Sequence, residues 1–224
     1  MNKFMTAVLG GNGFVGQRVL EQLHARNMPA RCISRTGSKP THMQGDLYQW
    51  SEEIDWFKGD GEQLEPEALA GCSALICLVG APPIPRLTAQ GIAEQRHKNS
   101  TANCRAIELA KHLGIKRLAV LGAHLSAPAR SEKFGYFLGK QDCLRAARQF
   151  AETDGCQATV VQPFLITGRR YLTNGKAVPL DMFPGKLAAI SMDYVKPVES
   201  VANALVSAIR TERPGFRIVG KSDF

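Results

Sequence analysis

The feature that most constrains this chain is the run Gly10-Gly11-Asn12-Gly13-Phe14-Val15-Gly16, which follows an apolar segment directly and opens a stretch with helical periodicity. Glycine at positions 10 and 13 lets backbone turn tightly and approach another group, and Gly16 lets the new helix pack on the preceding strand. The helix N-terminus, with its open N–H groups and positive dipole end, faces the same spot. A strand, this turn and a helix together form a seat for an anion. The G-x-x-G-x-x-G spacing points to the pyrophosphate of a dinucleotide held by Gly10, Gly13, Phe14, Val15 and Gly16. A glycine turn without a ligand is the structural alternative, and the context of the motif argues against it.

The rest of the chain repeats the same unit. Apolar runs at Phe4–Leu9, Ala30–Ser34, Ile54–Phe57, Ala74–Val79, Leu118–Leu121, Ala158–Val161 and Phe216–Val219 are short and bounded by turn residues. They read as buried strands of a mostly parallel sheet. Between them lie helical faces, Val15, Val19, Leu20 and Leu23 on one and Ile107, Ala110 and Leu113 on another. Strand-helix alternation predicts an α/β doubly wound sheet, the Rossmann fold, in a single domain over residues 1–224. The polar segment from Thr36 to Ser51 is expected to cross partly as a loop. Residues 165–195, broken by glycine and proline, are expected to form a small irregular insertion on the substrate side.

The end of the second strand bears on which dinucleotide is bound. Ser34-Arg35-Thr36 stands where an acidic residue would bind the ribose hydroxyls of NAD(H). The planar fork of Arg35 suits a 2′-phosphate instead, with Ser34, Ser38 and Lys39 as further donors, so NADP(H) is expected in preference to NAD(H). A solvated arginine is the alternative. Asp60, placed at the end of the third strand, offers a carboxylate to the adenine amino group, although Asp-Gly also makes an ordinary turn. Val79 and Gly80 lead into a proline-rich loop where small residues would let a ribose lie against backbone.

Composition narrows the partners. With 28 Lys and Arg against 20 Asp and Glu, the chain carries a net charge of +8, which favours anionic ligands or surfaces. The basic residues are scattered and lack the clustering of a nucleic-acid binder. Membrane-surface association or membership of a protein complex remain open beside a small-molecule substrate. The six cysteines form no C-x-x-C pair, and the apolar N-terminal stretch is too short for a signal peptide or span, so a cytoplasmic protein with reduced thiols is expected.

The order of these motifs resembles the short-chain dehydrogenase/reductase superfamily, in its atypical NAD(P)-binding branch, over nearly the whole chain. Gly10, Gly13 and Gly16 match the cofactor turn, Arg35 the NADP-type arginine, Asp60 the adenine-contacting aspartate and Asn99 the asparagine of the fourth helix. Tyr136-Phe137-Leu138-Gly139-Lys140 matches the Y-x-x-x-K signature. A narrower likeness, carried by Ser34-Arg35-Thr36-Gly37 and Trp56-Phe57-Lys58-Gly59-Asp60, is to the NADPH-binding accessory subunit of respiratory complex I and to a related subunit of the coenzyme Q synthesis complex.

The resemblance implies that Tyr136 exchanges a proton with the substrate oxygen, while Lys140 tunes the phenol and holds the nicotinamide ribose. Helical geometry agrees, since residues four apart share a face. The superfamily's serine is displaced: Leu121-Gly122-Ala123-His124-Leu125-Ser126 leaves His124 nearest the expected position and Ser126 beyond it. Gln162-Pro163-Phe164 keeps the proline expected beside the cofactor but departs from the usual arginine-proline-glycine. Phe164 would then either narrow the nicotinamide end or fill core. Two functions follow. One is an NADP(H)-dependent oxidoreductase acting on a carbonyl or hydroxyl group of a small molecule. The other is a non-catalytic NADP(H)-binding accessory or redox-sensing protein, linked to quinone metabolism or a respiratory complex.

Overall fold

In a computed structural model of the chain, the described residues are 5–124, 131–171, 176–180 and 195–220. Seven strands make the central sheet: β1 (Met5–Leu9), β2 (Ala30–Ser34), β3 (Asp55–Lys58), β4 (Cys72–Cys77), β5 (Arg117–Leu121), β6 (Gln157–Val161) and, last in the chain, β11 (Gly215–Val219). They lie in the order β11-β6-β5-β4-β1-β2-β3, and every pairing is parallel. The order reverses beside β1, the switch point where open α/β sheets of this kind bind their ligands.

Both faces of the sheet are covered, which is why the strands read as continuous apolar runs. Alternate residues go to opposite sides. Ala7 and Leu9 join one core with Leu75, Leu118 and Val120, while Val8 joins the other with Cys32, Ile76 and Ala119. Helices α2 (Ala89–His112) and α3 (Gly135–Ala151) close the first core. Helices α1 (Phe14–His24) and α4 (Val198–Arg210) close the second. The predicted face of α1 is the buried one, with Val15, Val19, Leu20 and Leu23 all inside. Leu113 is a correction. It lies past the end of α2 and is 45% exposed, because the helix stops one residue earlier at His112.

The crossovers around β3 contain only short turns of 3₁₀ helix, at Asp46–Glu53, Gly61–Gln63 and Pro66–Leu69. Asn99 lies on α2. The segment after β6 contributes β7 (Leu165–Thr167), β8 (Arg169–Tyr171), β9 (Ala177–Pro179) and β10 (Val195–Pro197). β7 pairs in parallel with β10, and β8 pairs antiparallel with β9. Tyr171 fastens this segment near the glycine turn by stacking on His42 at 4.1 Å between ring centroids, and His42 Nε2 lies 3.0 Å from Gln17 Oε1 of α1. Among the described residues no helix is long and apolar enough to cross a membrane.

Candidate cofactor and active site

The glycine turn leaves β1 at its C-terminal end. Gly10 has φ +84°, which an L side chain rarely adopts, and its N–H donates to Ile33 O at 3.0 Å. A Cβ on Gly16 would fall 2.4 Å from Gly10 O, so this residue must be bare for helix and turn to meet. Gly13 is different. It caps α1 in extended backbone, with no side-chain hydrogen bond to the first turn and no acidic residue there. The first N–H groups of α1 thus carry no side-chain cap, as an anion site requires.

Asn12, which the sequence reading did not single out, ties the turn to the segment after β2. Its Nδ2 donates to Thr36 Oγ1 at 3.0 Å, Ser38 O at 3.1 Å and Ser34 Oγ at 3.2 Å. Its Oδ1 accepts from the Cys32 thiol at 3.3 Å. Arg35 projects from the same segment, exposed and without an ion pair or hydrogen bond among the described residues. Of its neighbours, Lys39 forms an ion pair with Glu52, so its charge is already met. Ser34 Oγ accepts from Asn12 and from Gly37 N–H and lies 3.3 Å from Thr36 Oγ1, and its own O–H remains a donor on this side of the turn. Asp60 lies two residues beyond β3 rather than ending it, and its Oδ1 accepts from Glu62 N–H at 3.1 Å to start the following turn.

On the other side of β1, a polar stripe along α2 organises the exit of β4. Asn103 is 1% exposed; its Oδ1 accepts from Val79 N–H at 3.2 Å and its Nδ2 donates to Val79 O at 2.8 Å. Val79, expected inside the strand, is thereby drawn out of it, and β4 ends at Cys77. Asn99, fully buried, accepts from Ala81 N–H at 3.0 Å and donates to Gln95 O at 2.8 Å. Gln95 in turn donates to Ile84 O at 2.7 Å and accepts from Tyr136 N–H at 3.1 Å. The signal for this stripe was present in the sequence as polar residues four apart, on a face that burial then claimed.

Helix α3 carries Tyr136 and Lys140 against that stripe. Glycines at 135 and 139 permit the approach, since Cβ atoms there would come within 2.1 Å of Ile92 O and 2.7 Å of Arg96 O. Lys140, 7% exposed, donates from Nζ to Leu121 O at 2.9 Å, the last residue of β5. Burial lowers its pKa. The same Nζ stands 5.7 Å from the centroid of the Tyr136 ring, and a Cβ on Gly80 would be 3.6 Å from it and 3.0 Å from Asn99 Oδ1. Burial pushes the Tyr136 phenol up to about 12. His124 is held by its N–H, which donates to Pro163 O at 2.9 Å, and its ring lies 6.4 Å from that of Phe164. Phe164 is 46% exposed and so does not fill core. Ser126 lies outside the described residues.

A doubly wound sheet with an uncapped glycine turn at its switch point defines a dinucleotide-binding protein. The sequence profile of a family described as NAD(P)H-binding matches residues 10–212, and the chain belongs to that family. It is 28% identical over 200 residues to an uncharacterized chloroplastic protein of Arabidopsis thaliana, covering 87% of this chain and 62% of that one. The chain thus spans less than two thirds of that relative's length. Among solved structures it resembles UDP-glucuronic acid 4-epimerase from Bacillus cereus in complex with UDP-glucuronic acid and NAD, with a TM-score of 0.71 at 14% identity over 97% of this chain and 77% of that one. UDP-N-acetylglucosamine 4-epimerase from Methanobrevibacter ruminantium, in complex with UDP-N-acetylmuramic acid, gives 0.69 at 16% identity over 98% and 77%. These likenesses establish the fold.

Proposed function

We propose that the chain is an NADP(H)-dependent oxidoreductase acting on a carbonyl or hydroxyl group of a small molecule. The observation that carries this reading is the meeting of Lys140 with the Tyr136 ring, Gly80 and the end of β5, on the same edge of the sheet as the glycine turn. The residues fit a dinucleotide: Gly13 leaves the N-terminus of α1 without a side-chain cap, Gly80 puts bare backbone beside Lys140 and Asn99, and Arg35 has no carboxylate partner among the described residues. The pyrophosphate would lie on Gly10 to Gly16, the 2′-phosphate on Arg35 and the nicotinamide ribose by Lys140. When bound, the cofactor supplies or accepts the hydride.

The protein's own chemistry is then proton transfer and positioning. In the direction of reduction, the Tyr136 hydroxyl gives its proton to the substrate oxygen as the carbon takes the hydride, and the electron pair of the carbonyl π bond becomes the new O–H bond. The phenol holds that proton at neutral pH, and the nearby ammonium of Lys140 stabilises the phenolate left behind. Asn99, which holds Ala81 and leans on Gln95, keeps the loop after β4 and the start of α3 in register.

The test begins with a panel of carbonyl compounds and quinones, read by NADPH absorbance. Tyr136→Phe is expected to lower turnover by roughly 10²–10⁴-fold with NADPH affinity nearly unchanged. Turnover at the wild-type rate would reject the assigned donor. Arg35→Ala should weaken NADPH about tenfold or more while leaving NADH affinity in place, as expected for loss of a charge-assisted pair with phosphate. A second reading, a non-catalytic NADP(H)-binding accessory or redox-sensing protein, is favoured by one observation. The loop after β5 presents Gly122, Ala123 and His124 where a hydroxyl is expected. NADPH binding with no turnover on any member of the panel would support it.

A further inference from the structure

Among the described residues the ribbon of β8 and β9 pairs only with itself, so its side-chain contacts with the body of the protein hold it in place. Those contacts stand at the two ends of β8. At one end Gly168, with φ +134°, passes so close to α1 and α4 that a Cβ there would lie 2.8 Å from Val198 and 3.5 Å from the Phe14 ring. At the other end the Tyr171 ring lies on that of His42, 10° from parallel. Phe14 opens α1 and His42 belongs to the segment after β2, so the ribbon leans on both elements that build the nucleotide seat.

Behind His42 a chain of hydrogen bonds leads to Arg35. Gln17 Nε2 donates to Asn12 O at 2.9 Å, which leaves Gln17 Oε1 as the acceptor toward His42. An amide oxygen cannot donate, so His42 carries a proton on Nε2. Asn12 in turn holds Ser34, Thr36 and Ser38, which flank Arg35 on both sides. The segment after β2 is thus tied to the turn and α1 twice, by Asn12 around Arg35 and by His42 further on, and Tyr171 packs against the second tie. The 2′-phosphate and the pyrophosphate belong to one adenosine moiety. Arg35 meets the first only if its segment keeps a set distance from the turn that holds the second.

We propose that Tyr171 and His42 are positioning residues of the 2′-phosphate site: their stack braces Gln17 and Asn12, keeps Arg35 in place, and lets the segment after β6 set the preference for NADP(H) over NAD(H). This rests on the reading of Arg35 as the partner of the 2′-phosphate. Neither ring needs to touch the cofactor. NAD(H) has no 2′-phosphate for Arg35 to bind, so loss of the stack weakens NADP(H) selectively.

The experiment is calorimetry with NADPH and NADH on the wild type, Tyr171→Ala, Tyr171→Phe, His42→Ala, Arg35→Ala and the double variant of Tyr171→Ala with Arg35→Ala. Tyr171→Ala and His42→Ala are expected to lower the ratio of NADPH to NADH affinity by about three- to tenfold, the size of a lost ring pair. Tyr171→Phe keeps the stack and should restore the ratio. With Arg35→Ala already present, Tyr171→Ala should change NADPH affinity little, because the stack acts through the guanidinium. A residue that only steadied the fold would weaken both cofactors alike, with or without Arg35. Equal losses for the two cofactors, a ratio in Tyr171→Phe as low as in Tyr171→Ala, or additive effects of Tyr171→Ala and Arg35→Ala would overturn the proposal. Should Tyr171→Ala fail to fold, Tyr171→Leu, which fills the space without a ring, takes its place. Unchanged NADPH affinity in Arg35→Ala would sink the assignment of Arg35 and this proposal with it. A clear loss in Arg35→Ala beside an unchanged ratio in Tyr171→Ala would reject this proposal alone.

Discussion

A methyl group added at Gly13 would meet only Gly10 O, at 3.2 Å, whereas one at Gly16 would fall 2.4 Å from the same oxygen. Gly13 also has φ −77° and ψ 175°, an extended conformation open to any residue. Gly13→Val is therefore expected to fold and to lose NADPH binding, because its side chain would stand where the pyrophosphate must approach. Gly16→Val should be destabilised by about 1–3 kcal/mol or more, as overpacked sites are. Calorimetry with NADPH and thermal melts followed by circular dichroism separate the two, and wild-type affinity in folded Gly13→Val would show that the turn is not the site. The Tyr136 phenol makes a second prediction. Its pKa is raised from 10.0 to about 12 in the folded chain, so below pH 10 it is neutral whether folded or unfolded. Between pH 10 and 12 the unfolded chain loses that proton more readily, and stability falls as pH rises through the window. The urea midpoint of the wild type should fall more steeply there than that of Tyr136→Phe; equal slopes would show that the phenol is not buried.

At the scale of elements, α2 decides more of the site than its sequence suggested. Ile107, Ala110 and Leu113 mark it as an amphipathic crossover; Ile107 and Ala110 are buried, while Leu113 falls past the helix end and is exposed. Its other buried side carries Gln95, Asn99 and Asn103, which hold the loop after β4 and the start of α3. Asn103→Ala would leave Val79 without the two hydrogen bonds this side chain makes to it. The expected cost is about 2–4 kcal/mol from buried groups left unpaired, with weaker NADPH binding because Gly80 is next in line. Urea denaturation measures the first and calorimetry the second, and a loss below about 0.5 kcal/mol would mean that Val79 finds other partners. The same contacts explain why β4 stops at Cys77, short of the Val79 that its apolar run predicted. Strand identity was legible in a local pattern, but the point where the strand leaves the sheet depended on Asn103, 24 residues beyond Val79.

For the whole molecule, binding and folding are linked. NADPH at about 100 times its dissociation constant should add about 2.7 kcal/mol and raise Tm by roughly 5–10 °C. No shift at saturating NADPH would argue against the cofactor itself. The alternation of apolar runs with helical faces, and the glycines between β1 and α1, determined from sequence alone that the chain forms a parallel sheet with a nucleotide turn. These signals are local: burial on both faces makes a strand uniformly apolar, and a tight turn restricts which residues can sit in it. Tertiary structure alone decided that Lys39 meets Glu52 and that Asn12 bridges to Thr36 and Ser38. It also brought Lys140 to the end of β5 and left Thr159 Oγ1 and Arg217 Nε buried without a hydrogen bond among the described residues. Each of these depends on which segments the sheet order and helix packing bring together, and side-chain type does not encode a partner that is distant along the chain.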